Sequence, residues 1–222
     1  MRTALHLEPI GLLASSCLIQ IKHHHGRIIL SRRTKCRQSA LLLDREPFLM
    51  SLAADYSVVE HLRDGRAIEI RALRPDDRTG MLAAIGRTSS HSLRRRFFAP
   101  KKGFSEQELA FFLNIDFEHH VALVAQIDED GHPVIAGGGR YIVVQPGQAE
   151  IAFVVVDAYQ AQGIGTFLMR HLAAVAREAG LKELIAEVLP ENTAMLNVFR
   201  RFGFLPGSQR TPQVVHLALK LV

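Results

Sequence analysis

The stretch "AEIAFVVVDAYQAQGIGTFLMRHLAAVAREAG" (149–180) limits the possible folds more than any other. It opens on an apolar, β-branched run, turns through Gly163 and Gly165, and continues with apolar residues at 164, 167, 168, 172, 175, 176 and 179. The first part reads as a strand and the last has the period of an amphipathic helix, with Gly180 as its C-cap. The first N–H groups of such a helix have no intrahelical acceptor and stand at the positive end of its dipole. A phosphate fits there, and Gly163 and Gly165 lack the Cβ atoms that would block it. From Gln160 to Gly165 the pattern is Q-x-x-G-x-G. It is therefore neither a P-loop, which needs Lys-Ser/Thr after its last glycine, nor the G-x-G-x-x-G of dinucleotide folds. A helix start that needs glycine only for close packing looks the same over so short a stretch.

The rest of the chain supplies a sheet around this unit. "RAIEIRAL" (66–73) alternates between turn signals and reads as a strand. "PDDRTGMLAAIGRTS" (75–89) opens with proline and two acids, as helices do, and "SEQELAFFLN" (105–114) begins with a Ser105/Glu108 capping box. "HVALVAQI" (120–127), "PVIAGGGRYIVV" (133–144) and "AEIAFVVV" (149–156) are strands joined at Asp130-Gly131 and Pro146-Gly147, which predicts an antiparallel meander. "KELIAEVL" (182–189) reads as a buried strand and "NTAMLNVFRRF" (192–202) as a helix ending at Gly203. "VVHLALKLV" (214–222) reads as a last strand. The expected class is α/β, a mixed α+β sheet with helices on both faces.

Charge excludes one class of partner. The chain carries a formal +5 with a pI near 9.6, but eight of its 27 basic and three of its 22 acidic side chains lie in residues 1–49. That leaves nineteen of each in 50–222, so no basic groove for nucleic acid is expected. Cys17 and Cys36 also lie in 1–49, so no cysteine nucleophile serves the remainder. No run of about 18 apolar residues is present, so no membrane span is expected and the reading is cytoplasmic. Residues 11–21 faintly resemble the apolar part of a signal peptide, but Glu8 and Pro9 interrupt it, and Met50 opens an ordinary protein start. Residues 1–49 are expected to be a disordered extension or a start assigned too early, and 50–222 to be one domain. His23-His24-His25 has no second ligand cluster, so no metal site is expected.

The segment "FVVVDAYQAQGIGTFLMRHLAAVAREAG…VLPENTAMLNVFRRFGF" resembles the GNAT superfamily of N-acetyltransferases. In that family a strand leads into a [Q/R]-x-x-G-x-[G/A] loop and its helix. A second strand and a helix opening with Asn then follow. Gln160, Gly163 and Gly165 fill the loop here, Asn192 opens the second helix, and Phe202-Gly203-Phe204 closes it. The element order matches over 66–222. The resemblance implies a central, mostly antiparallel sheet and acetyl-CoA as co-substrate. Within the superfamily the chain looks most like the catalytic domain of bacterial protein-lysine acetyltransferases, through residues 62–125 and the P-E-N-x-x-M-L pattern in "PENTAMLNVFRRFGF". A protein lysine is the acceptor this implies, with a small amine or a non-catalytic acetyl-CoA sensor as alternatives.

Acetyl transfer to an amine needs a base, because a lysine ammonium has a pKa of about 10.4 in water. Glu150 stands where the resembling family keeps its catalytic glutamate. Alternation puts it on one face with Ala152 and Val154, and Ile151, Phe153 and Val155 on the other. A half-buried carboxylate there has a raised pKa, whereas a solvated strand-end Glu does not. The resemblance also implies that free backbone groups of Val154, Val155 and Val156 pair with the pantetheine arm. It implies that the amides of Gln162, Gly163, Ile164, Gly165 and Thr166 meet the pyrophosphate, and that Asn192 bonds the coenzyme while also serving as an N-cap. Many relatives place a thiolate-protonating tyrosine seven residues after the Asn; this chain has Phe199. Tyr159 falls where the family keeps a structural aromatic. With no cysteine in 50–222, direct attack in a ternary complex is expected. His119-His120 reads as a surface strand end, and "RRRFF" (94–98) as solvated arginines beside two core phenylalanines.

Overall fold

A computed structural model describes residues 23–24, 27–28, 53–101, 103–207 and 213–221. Two compact units divide the chain at Ser39/Ala40. In the first, the described residues form β1 (His23–His24) and β2 (Arg27–Ile28), paired antiparallel. The disorder expected of residues 1–49 otherwise falls outside the described residues.

The second unit is built on one eight-stranded sheet in the order β3-β4-β5-β6-β7-β8-β10-β9. Its strands are β3 (Ser57–His61), β4 (Ala67–Ala72), β5 (His120–Glu129), β6 (His132–Gln145) and β7 (Gln148–Val155), then β8 (Glu183–Val188), β9 (Leu205–Pro206) and β10 (Val215–Lys220). Every neighbouring pair is antiparallel except β7 and β8, which run parallel. The helices are α1 (Arg78–Gly86), α2 (Ser90–Phe97), α3 (Glu106–Leu113), α4 (Ile164–Glu178) and α5 (Thr193–Arg201). The expected class and the β5–β6–β7 meander are therefore present. No helix of the described residues is long and apolar enough to cross a membrane.

The α4 stripe read from the sequence is the stripe that is buried: Ile164, Leu168, Leu172, Val175 and Ala176 all lie inside. It lies against the sheet face carrying Ile151 and Phe153. Gly139 in β6 permits the contact, since a Cβ there would stand 2.8 Å from Leu172 Cδ1 and 2.9 Å from Phe153 Cδ1. The helices α1, α2 and α3 border a cleft on the opposite face. The Ser105/Glu108 capping box forms as expected, the Ser105 N–H donating to Glu108 Oε2 at 2.9 Å and the Glu108 N–H to Ser105 Oγ at 3.3 Å.

Besides the two-residue strand β9, two elements of the second unit have no counterpart among the sequence expectations. The strand β3 has a mostly exposed pattern with no alternation to read. It is held from outside its own segment: Tyr56 Oη and His171 Nδ1 share a hydrogen bond at 2.5 Å, and His171 Nε2 lies 2.9 Å from Glu60. The other is α2, whose N-cap Ser89 accepts from the Ser92 N–H. It changes the reading of 94–98. Phe98 ends the helix at φ 59, and Phe97 borders the cleft 5.2 Å from the Phe104 ring, so neither is a core residue.

Candidate active site

The sheet opens beside β7. Parallel pairing with β8 covers only Gln148↔Glu183, Ala149↔Leu184 and Glu150↔Ile185, whereas β6 follows β7 as far as Val155. Beyond Glu150 the β8 side of β7 is an unpaired edge. Antiparallel partners alternate between bonded and non-bonded pairs, and the Val156 N–H donates to Ala136 O at 2.9 Å. Val154 and Val156 therefore turn their backbone groups towards β6, while Phe153 and Val155 turn theirs into the gap. This corrects the expectation of free groups throughout 154–156: the amide of Val156 is already bonded within the sheet. The Val155 carbonyl, which faces the gap, accepts from Gln160 Nε2 at 3.0 Å.

The glycine turn stands at the end of this gap. Gly163, at φ +98, is the N-cap of α4, a conformation open to glycine and costly for other residues. At Gly165 the φ is not positive and a built Cβ meets nothing within 4 Å, so close packing does not account for that glycine. Open space in front of first-turn amides suits an anionic guest. The Thr166 N–H is less available than expected, because it donates to Gly163 O at 2.9 Å. Gln162 sits in the loop with its Oε1 accepting from Arg66 Nη2 at 2.7 Å.

A network not anticipated from the sequence fastens this loop to α2. Asp157 accepts from the Ser89 N–H at 2.6 Å, Ser89 Oγ at 2.9 Å and Ser92 Oγ at 2.8 Å. Gln160 Nε2 also donates to Ser92 Oγ at 3.1 Å. Burial works against the charge on Asp157, but the bonds from Ser89 and Ser92 outweigh it and hold its carboxyl below the usual range. The one local signal was "TSSHS", which carries the cap of α2 but does not name its distant partner.

Glu150 is only 9% exposed. Burial is the larger cause and the neighbouring Glu187 the second, and against the opposing pull of Arg96 they push its carboxyl up to about 7. Ala152 and Val154, on the same face, line a cleft walled by Phe97, Phe104 and Phe112. Arg140 reaches into it from β6 and donates to His120 Nε2 at 2.8 Å. Burial and then the Arg140 charge push that imidazole down to about 4, so it is neutral near pH 7. His120 is thus buried and stacked on Phe111, not a surface strand end, whereas His119 is exposed.

Asn192 is buried and caps α5, its Oδ1 accepting from the Met195 N–H at 3.3 Å. Phe199 is 2% exposed and lies on the other side of the sheet, stacked on Phe153 at 5.4 Å and against Phe204 at 4.7 Å. Tyr159 is buried, as expected. Among the described residues no group of three or more His, Cys, Asp or Glu is gathered as for a metal ion.

A model of the acetyltransferase (GNAT) family matches residues 90–204. The chain is 36% identical over 163 residues to an acetyltransferase of Pseudomonas aeruginosa, covering 71% of this chain and 87% of that one. It is 34% identical over 146 residues to the acetyltransferase Pat of Mycolicibacterium smegmatis, covering 64% of this chain but only 42% of Pat. Among solved structures, the GNAT domain of S. lividans PAT superposes with a TM-score of 0.68 at 32% identity, over 74% of this chain and 96% of that domain.

Proposed function

The chain belongs to the acetyltransferase (GNAT) family, and from that premise we propose that it moves an acetyl group from acetyl-CoA to a protein lysine, with Glu150 as general base. The observation that carries the reading is the placement of a buried, hard-to-ionise carboxyl at the last β7–β8 pair, where the unpaired edge begins. The chain is an acetyl-CoA-dependent acetyltransferase by family; the acceptor, the base and the order of events are our reading. We also propose that residues 50–222 form the whole catalytic domain.

In this reading the coenzyme arm lies along the open edge at Val155. Its pyrophosphate meets the turn at Gln162, Gly163, Ile164 and Gly165, with Thr166 closing the turn through its own bond to Gly163. Asn192 fixes the start of α5 near the arm. The thioester supplies an activated acetyl carbon. Glu150, on the cleft face, accepts a proton from the incoming ammonium, directly or through one water, and the neutral nitrogen attacks the carbonyl. The new C–N bond forms as the C–S bond breaks, the sulfur leaves as thiolate, and the acylated nitrogen sheds its remaining extra proton to that thiolate or to water. Phe199 cannot donate a proton and lies across the sheet, so thiolate departure proceeds without a tyrosine. A carboxyl with a pKa near 7 is well matched to take a proton at neutral pH.

The acceptor class is decided by incubating residues 50–222 with labelled acetyl-CoA and a cell extract, then separating protein from small molecules. Label on protein lysines is the expected outcome. Label confined to the small-molecule fraction would transfer the same chemistry to a metabolite amine held in the apolar cleft.

A further inference from the structure

The strand β8 was expected to be buried, but only one of its faces is. Leu184, Ala186 and Val188 are buried, while Glu183, Ile185 and Glu187 are half-buried on the other face. The pairing Glu150↔Ile185 places Glu150 on that second face, and Glu187 stands one pleat further along, on the far bank of the gap. The antiparallel register pairs Glu187 with His216 of β10, whose Nδ1 lies 3.3 Å from Glu187 Oε1. Glu150, Glu187 and His216 thus form a row across three neighbouring strands on one face. The proposed acetyl transfer uses only the first of them.

A carboxylate beside another half-buried carboxylate is a local conflict, and such conflicts collect at functional positions. We propose that Glu187, held by His216, is a positioning residue for the transfer, whose negative charge makes Glu150 a stronger acceptor of the amine's proton. The proposal rests on the reading of Glu150 as the base. The physical cause is repulsion between like charges: ionised Glu187 raises the free energy of ionised Glu150 and leaves protonated Glu150 untouched. The proton affinity of Glu150 rises, and the proton transfer from an ammonium becomes less uphill. His216 flanks Glu187 on the side away from Glu150 and fixes where that charge sits. The other charged or titratable groups on this face around the row are Arg96 from α2, which pulls Glu150 the opposite way, Arg140 of β6 with its partner His120 of β5, Glu183 of β8, which accepts from Gln148 Nε2 at 2.5 Å, and Lys220, its register partner on β10. The direction of the Glu187 effect on Glu150 agrees with this arrangement.

The test reads Glu150 directly and needs no acceptor. The full chain is prepared with carboxyl-labelled glutamate, and the Glu150 resonance is identified by its loss in Glu150→Gln. Its titration midpoint is then followed in the unaltered chain, in Glu187→Gln, in Glu187→Asp and in His216→Ala. The expected result is a midpoint lower by about half a pH unit or more in Glu187→Gln, little changed in Glu187→Asp, and lowered by a smaller amount in His216→Ala. A midpoint that stays in place in Glu187→Gln, or falls equally in Glu187→Asp, overturns the proposal and leaves Glu187 a scaffold residue. Should Glu187→Gln not fold, the His216→Ala midpoint decides in the same way. Turnover of Glu150→Gln is measured separately. If it is lost while the midpoint fails to move, only the role of Glu187 falls; if it is kept, the base reading falls and takes this proposal with it.

Discussion

At the scale of the residue, Glu150 sets a conflict between stability and function. Its folded-state carboxyl titrates near 7, against an ordinary value of 4.5. The folded chain therefore holds a proton that the unfolded chain has already released, and stability falls as pH rises through that window. At about 1.4 kcal/mol per unit this amounts to roughly 3 kcal/mol by pH 8. Glu150→Gln should then be more stable than the unaltered chain at pH 8, with the advantage shrinking towards pH 5; a difference in thermal midpoint that does not change with pH would contradict a buried, raised carboxyl. For the same reason kcat/KM should rise with pH along a limb centred near 7, since only ionised Glu150 accepts a proton. Phe199 belongs to the core, so Phe199→Ala should cost about 3–5 kcal/mol in denaturant unfolding. A cost under 1 kcal/mol would remove it from that role. The family resemblance named Glu150, at the start of the strand that feeds the glycine turn; the residues alone fitted a solvated strand-end glutamate equally. Neither could show Glu187 and His216 on the same face of the sheet as Glu150, because that row depends on a strand order visible only in three dimensions.

At the scale of the element, the turn between β7 and α4 separates two uses of glycine that look alike in sequence. Gly163 is required by its backbone, and Gly163→Ala should destabilise by about 1–2 kcal/mol because φ is +98. Gly165 is required by neither backbone nor packing. Gly165→Val should therefore keep the thermal midpoint within a few degrees while weakening acetyl-CoA binding tenfold or more. Equal loss of stability and binding would return Gly165 to a packing role. Long periodic elements such as α4 were readable because one stripe faces one core. By contrast, α2 and β3 were not, since α2 is fastened by Asp157 and Gln160 and β3 by His171, all remote in sequence. Asp157→Ala should release α2 from the loop and raise KM for acetyl-CoA, whereas an unchanged KM would make that network dispensable.

At the scale of the whole molecule, every residue assigned to the site lies between Arg66 and His216, within the unit that begins at Ala40. The basic excess lies in residues 1–49, and the remainder is balanced in charge. The mixed sheet and its helix layers followed from alternation and helical period. The opening between β7 and β8, where the coenzyme arm is proposed to lie, did not, because the register at which two parallel strands part is written in neither strand alone. The proposed boundary implies that residues 50–222 unfold in one cooperative step and keep the turnover of the full chain; loss of activity on removing 1–49 would move the boundary. The role of Glu150 is decided by the rate at which labelled acetyl-CoA delivers its acetyl group at pH 8, for the unaltered chain and Glu150→Gln, with coenzyme affinity measured on the same samples. The expected result is a fall of about a hundredfold in rate with affinity unchanged, and equal rates in the two proteins would contradict Glu150 as the base.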